Sequence, residues 1–354
     1  MSDPTSPSDA TTPNGPASGA SLPRYQIDVE AGVPVLRDGW TAVFYLSGPC
    51  ERHQAGAARC IAEYLRLVRE PALRWTIDEE GDAVELDDAE IDDRLDELAQ
   101  PGEDSVGFRL MDNPEGVSAH RVRYIGLHAD DPIAAMRPDA VSLLQLTYAT
   151  ETVERIGPER FVQFHDAVAA ALPLSFGYVS PAFLAATGAG EPPAFERIRG
   201  WSRRFPCLDV SHVSIDTLTL GDRVRGAYWL SYLGPVNVEA LGGEPALREA
   251  LAAACRDVAG EGKGKGAGAG AGAGKDEGAG VNVGARALPG GVLALQVEAA
   301  PIAGDVNRRE DVGAYRALAA CLAPRLYEPE IAFPEFELED TQAWFRRFLE
   351  DKHA

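Results

Sequence analysis

The chain has 354 residues, 45% of them hydrophobic and 25% charged, enough to bury the core of one large domain or two modest ones. Its 55 acidic residues outnumber 33 basic ones, for a formal net charge of -22 at pH 7. A field of that sign repels nucleic acid and anionic membrane and speeds encounter with a basic partner, which argues against bare nucleic-acid binding; solubility alone also uses such charge.

The five cysteines, Cys50, Cys60, Cys207, Cys255 and Cys321, are odd in number, scattered and without a CxxC pair. Reduced thiols are expected, rather than a disulfide scaffold or zinc ribbon. Residues 1–22 are rich in Ser, Thr, Pro, Gly and Ala. They read as a disordered leader, lacking the basic and apolar regions of a signal peptide. No apolar run approaches the roughly 20 residues of a membrane span, so a cytoplasmic protein is expected.

Order is predicted to start at Tyr25 to Val29, where apolar and polar residues alternate. Trp40 to Leu46 is a strand bounded by Gly39 and by Gly48-Pro49. Ala57, Ile61, Tyr64, Leu65 and Val68 then recur at helical spacing until Pro71, and Arg74 to Ile77 forms a short strand. Asp78 to Glu97 holds twelve carboxylates and one Arg, with an amphipathic helix predicted from about Asp87 onward. Phe108 to Met111, Arg121 to Leu127 and Val141 to Tyr148 read as strands.

Gly157-Pro158 opens a helix whose stripe is Phe161, Phe164, Val168 and Leu172, and Leu174 to Val179 follows as a strand. Strand–helix–strand thus occurs twice, near 40–77 and 141–179. The fold class this implies is α/β, with α+β as the variant: a layered mixed β-sheet with packed helices, in two similar units. Further on come a helix from Pro245 to Ala254 and a Gly/Ala tract from Ala259 to Gly280, read as a flexible linker. Val281 to Arg286 and Val292 to Val297 flank a Pro-Gly turn, as a hairpin would. Val312 to Leu326 is helical, and a last helix from Thr341, capped by Asp340, groups Trp344, Phe345, Phe348 and Leu349. The predicted organisation is a leader over 1–22, an α/β domain over 23–330 interrupted at 259–280, and an acidic segment with an amphipathic helix over 331–354.

The chemistry-bearing patterns are sparse. Glycines between Gly260 and Gly274 fall on even positions, which GxGxxG forbids, and no GxxxxGK[ST] occurs there. None of the six histidines forms an HExxH, HxH or HxxxH pair. His165 reads as a satisfied core histidine. His212, after Asp209-Val210-Ser211, is the residue a hydrolase would use, though no GxSxG elbow accompanies it. No catalytic, cofactor or metal residue is therefore assigned.

The carboxylates Asp87, Asp88, Asp92 and Asp93 lack the EF-hand spacing. They form either a solvated helix face or an acidic patch for a basic partner. A second acid-only stretch runs from Glu328 to Asp340 and carries Phe333 and Phe336. Aromatics in a charged rim serve as interface anchors, and more often as core. The partner-contact set expected from these two stretches is Asp87, Asp88, Asp92, Asp93, Glu335, Phe336 and Glu337.

Trp229-Leu230, Leu233-Gly234 and Leu241-Gly242-Gly243, followed by Pro289 to Val292, Pro301, Gly304 to Asn307 and Tyr315 to Pro324, form a recognisable series. With Arg204-Phe205-Pro206 and Asp209 before it, this series resembles the TsiV-like type VI secretion immunity family over about residues 25–330. The resemblance implies a non-enzymatic protein that binds and neutralises a cognate effector toxin, including nucleases of the VRR-Nuc type. Trp229 and Asp305 are expected to be core and cap residues rather than contacts. The alternatives are a hydrolase and an orphan scaffold without a toxin.

Overall fold

The computed structural model describes residues 22–29, 32–100, 106–187, 191–264 and 281–350. The leader before residue 22 and the Gly/Ala tract from 265 to 280 lie outside the described residues. In chain order the first half contains β1 (Gln26–Asp28), β2 (Pro34–Leu46), α1 (Gln54–Val68), β3 (Trp75–Ile77), β4 (Ala83–Glu85), α2 (Asp88–Ala99), β5 (Val106–Met111), β6 (Arg121–Gly126), α3 (Pro132–Met136), β7 (Ser142–Tyr148), α4 (Thr150–Ile156) and α5 (Pro158–Ala171). The second half contains β8 (Leu174–Ala185), α6 (Glu191–Arg204), β9 (Asp209–Val210), α7 (Val213–Thr219), β10 (Leu230–Leu233), α8 (Pro235–Ala240), α9 (Gly243–Gly264), β11 (Val283–Ala287), β12 (Leu293–Val297), α10 (Gly313–Leu322) and α11 (Leu338–Phe345). Among the described residues no helix is long and apolar enough to cross a membrane.

The strands form one 12-stranded sheet in the order β11-β12-β10-β8-β2-β7-β6-β5-β3-β4, with β1 paired to β2 and β9 to β8. Every pairing is antiparallel except β8 with β9. The α/β class read from the sequence is the class observed. Its two strand–helix–strand units are β2-α1-β3 and β7-α5-β8, but they close differently. The second steps over one strand, β2, whereas the first passes β7, β6 and β5.

β2 and β8 are the spine, and both run longer than the sequence pattern predicts. Gly39, read as a boundary, lies inside β2 opposite Ala182. A Cβ there would stand 2.3 Å from Leu184 Cδ1 and 2.7 Å from the Tyr148 carbonyl oxygen. Close packing, not a turn, requires the glycine.

Alternation along β2 separates two cores. Val43 and Tyr45 join Phe176 and Tyr178 on one face, under α6, α9, α10 and α11. Trp40, Ala42, Phe44 and Leu46 point to the other, where α1, α2 and α5 supply Ile61, Tyr64, Ile91, Leu95 and Phe161. The result is helices on both sides of a sheet.

Two predicted boundaries need correction. α9 continues to Gly264 instead of ending near Ala254, so residues 259–264 are helix rather than linker. Leu247 and Leu251 anchor that helix in the core, and propagation from a formed helix is far easier than nucleation. The N-cap of α11 is Glu337, not Asp340. Thr341 bonds back to the Glu337 carbonyl, which starts the helix a turn earlier and leaves Asp340 to bind Arg199 and Arg203.

Candidate functional site

α2 gathers the predicted acidic residues. Asp87 is its N-cap, accepting the Glu90 amide at 2.9 Å, while the Glu90 carboxylate accepts the Asp87 amide at 2.8 Å. This capping box fixes the helix start. Ile91, Leu95 and Leu98 are buried, and the remaining face points to solvent. Asp92, Asp93, Asp96 and Glu97 are all exposed there, and Asp88 reaches Arg74 at 2.9 Å.

That arrangement is not the one helix stability favours. Asp88 and Asp92, Asp92 and Asp96, and Asp93 and Glu97 are like charges one turn apart, which repel. The last turn contains no basic residue, so Asp96 and Glu97 sit at the negative end of the helix dipole. Only the first-turn acids Asp88 and Glu90 suit their positions.

The second acidic stretch lies on the opposite face of the sheet. Phe333 and Phe336 belong to the core under α11, whereas α2 belongs to the other core. Phe336 is 8% exposed and meets Phe333 edge-on at 5.5 Å between ring centroids. It is therefore a packing residue, held against Phe333, whose ring in turn meets Trp344 and Phe345, and the expectation of an exposed anchor is corrected. Glu335 and Glu337 remain exposed. Met136 of α3, 77% exposed, lies beside a nearby cleft of about 180 Å³ lined also by Asp139, Glu328 and Glu330. A five-residue helix of Pro-Ile-Ala-Ala-Met has too little periodicity to be read from sequence.

Three further polar clusters stand out. His212 Nε2 lies 3.4 Å from Glu191, and its ring packs edge-on against Phe195. Ser211 instead accepts from Gln145 at 3.2 Å, so no Ser–His pair forms. A second histidine, His120, holds a chain that sequence reading missed: Nδ1 meets Asp112 at 2.9 Å and Nε2 meets Thr152 at 2.8 Å. All three side chains are buried, and Asp112 also accepts the Ala119 and His120 amides. This chain pins the β5–β6 connection to α4. The third cluster surrounds Arg225, which bonds Asp209, Asp216 and the Val210 carbonyl with no solvent contact.

Residues 57–265, well over half of the chain, match the TsiV family, described as type VI immunity for VRR-NUC. The chain belongs to this family. The match is narrower than the 25–330 span of the sequence resemblance, and it contains α2, Arg225 and Gly234. No curated protein matches the chain. Among solved structures, the Pseudomonas aeruginosa T6SS protein PA0821 is similar, with a TM-score of 0.68 at 19% identity over 92% of this chain and 87% of that one. At that identity the likeness establishes the shared fold.

Within the TsiV match, the motif residues are structural. Trp229 is buried against Trp40, with ring centroids 5.4 Å apart. Asp305, beyond the matched span, accepts the Asn307 amide at 3.0 Å and two bonds from Arg204, in the capping role its position predicts.

Proposed function

We propose that this TsiV-family protein binds a VRR-NUC-type nuclease effector in the cytoplasm and blocks it by occupation rather than catalysis. The contact surface in this reading is the acidic face of α2, with Asp87, Asp88, Asp92 and Asp93 against the basic face a nuclease presents to DNA. The observation that carries the reading is the exposed row Asp92, Asp93, Asp96 and Glu97 along the later turns of α2, with no basic residue in its last turn. It opposes helix stability, so a role outside folding is the simplest reason to keep it. Glu335 and Glu337 form a second acidic surface on the other side of the sheet, beyond the reach of one flat interface centred on α2.

The test is co-expression with a VRR-NUC-type nuclease effector. Relief of toxicity together with a stoichiometric complex supports the reading; toxicity undiminished and no complex would contradict it.

A further inference from the structure

β2 and β6 both pair antiparallel with β7, so they run parallel and deliver their following loops to one rim of the sheet. The loop after β2 carries Cys50 and Glu51, and the loop after β6 carries His128. The Cys50 amide donates to the Leu127 carbonyl at 2.8 Å and stitches the two loops together. The Cys50 thiol, a Glu51 carboxylate oxygen and a His128 ring nitrogen then lie within 4.8 Å of one another. His128 Nδ1 and Glu51 Oε1 are already 2.9 Å apart. Cys50 and His128 are buried and Glu51 is exposed, giving the cluster a floor and an open side.

We propose that Cys50, Glu51 and His128 form a binding site for one transition-metal ion of the zinc class, with its fourth position open to solvent. Three donors of mixed softness on two cross-linked loops distinguish this cluster from an ordinary surface pair. Tetrahedral zinc, with bonds of roughly 2.0–2.3 Å, sets ligand atoms roughly 3.3–3.6 Å apart. Metal entry therefore requires Glu51 to withdraw from His128 by about half an ångström, an easy movement for an exposed side chain. Thiolate and imidazole donors select zinc over magnesium or calcium. On binding, the Cys50 S–H bond breaks, the metal–sulfur bond forms, and the proton leaves to solvent, so affinity falls as pH falls. The site is independent of the effector reading.

The test is titration of the chelator-treated, reduced full chain with Co²⁺ as the probe, followed by competition with Zn²⁺. One equivalent should bind with a thiolate-to-cobalt charge-transfer band that Zn²⁺ removes. Cys50→Ser should abolish the band. His128→Gln and the exposed Glu51→Gln should each weaken affinity by more than about a hundredfold, beyond the usual loss on disturbing an outer-shell partner, with circular dichroism confirming the fold. Absence of the band in the unaltered protein would overturn the proposal. So would a band that survives Cys50→Ser, which would move binding to Cys255 or Cys321, or affinity unchanged in Glu51→Gln.

Discussion

The Arg225 guanidinium meets the Asp209 carboxylate at 2.5 Å in a site where neither side chain touches solvent. Asp216 binds the same guanidinium at 2.6 Å, and Tyr178 donates to Asp209 at 2.9 Å. Burial drives the Asp216 carboxyl above its usual range, against the pull of Arg225. Trp344 and Phe345 of α11 close over the guanidinium, each about 5.1 Å from its carbon. The C-terminal helix is thus the lid on an ion cluster built by β9, α7 and the turn before β10.

Removing the cation leaves two buried carboxylates facing each other. Arg225→Ala should destabilise the protein by about 3–5 kcal/mol, as loss of one partner from a buried ion pair does. Urea denaturation followed by tryptophan fluorescence measures this directly. A loss below about 1 kcal/mol would show that the cluster is not the lock described.

Gly234, in the family's Leu-Gly motif, is required by space rather than by backbone angle. A Cβ at this position would fall 1.6 Å from the Leu174 carbonyl oxygen, and the Gly234 amide donates to Ser175. Gly234→Ala should cost about 1–3 kcal/mol or more by forcing β8 away from the start of α8. Equal melting temperatures for the two proteins would contradict that packing.

How much of this was readable from sequence depended on the local signal. β2, α1, β6, β7, α5 and the β11–β12 hairpin have clear periodicity or Pro/Gly punctuation, and the pattern found them. α6 was missed because Glu191-Pro192-Pro193 and Gly200 look like loop, although Phe195 and Ile198 bury its inner face. β10 was missed because the run Tyr228 to Leu233, apolar except for Ser231, shows no sustained alternation: the strand, Leu230–Leu233, lies between β8 and β12, buried on both faces. The acidic stretches were visible as composition, but their separation to opposite faces depends on strand order, which composition does not encode. The His120 chain was invisible for the same reason, since Asp112 and Thr152 come from different elements.

That chain gives its own prediction. Thr152→Val keeps the shape but leaves His120 Nε2 without its hydroxyl partner. The Ala149 amide, 3.4 Å from the same nitrogen, remains, so the expected loss is about 0.5–1.5 kcal/mol, the usual worth of one hydrogen bond. Chemical denaturation of the variant beside Thr152→Ser, which restores the hydroxyl, separates this from a packing effect; an undiminished Thr152→Val would contradict it.

Acid stability follows from two other histidines. Desolvation pushes His165 down to about 3 and His53 to about 4. Both therefore stay neutral in the fold and take up protons when it unfolds. Stability they contribute is present above pH 6.5 and is lost as pH falls toward those values, at about 1.4 kcal/mol per pH unit for each. Asp216, held above its ordinary range, works in the opposite sense and offsets part of the loss. Unfolding free energy should therefore decline from pH 6.5 to 4, and a flat or rising profile would refute neutral burial.

The proposed effector-binding surface separates function from stability most sharply. Asp87, Asp88, Asp92 and Asp93 replaced together by Asn keep the N-cap and remove the repulsion along α2. The melting temperature should be unchanged or higher. With it should come an on-rate for the cognate nuclease lower by about tenfold or more at low ionic strength, and a shallower salt dependence. Binding kinetics and salt slope equal to those of the unaltered protein would contradict the claim that α2 is the surface that meets the toxin.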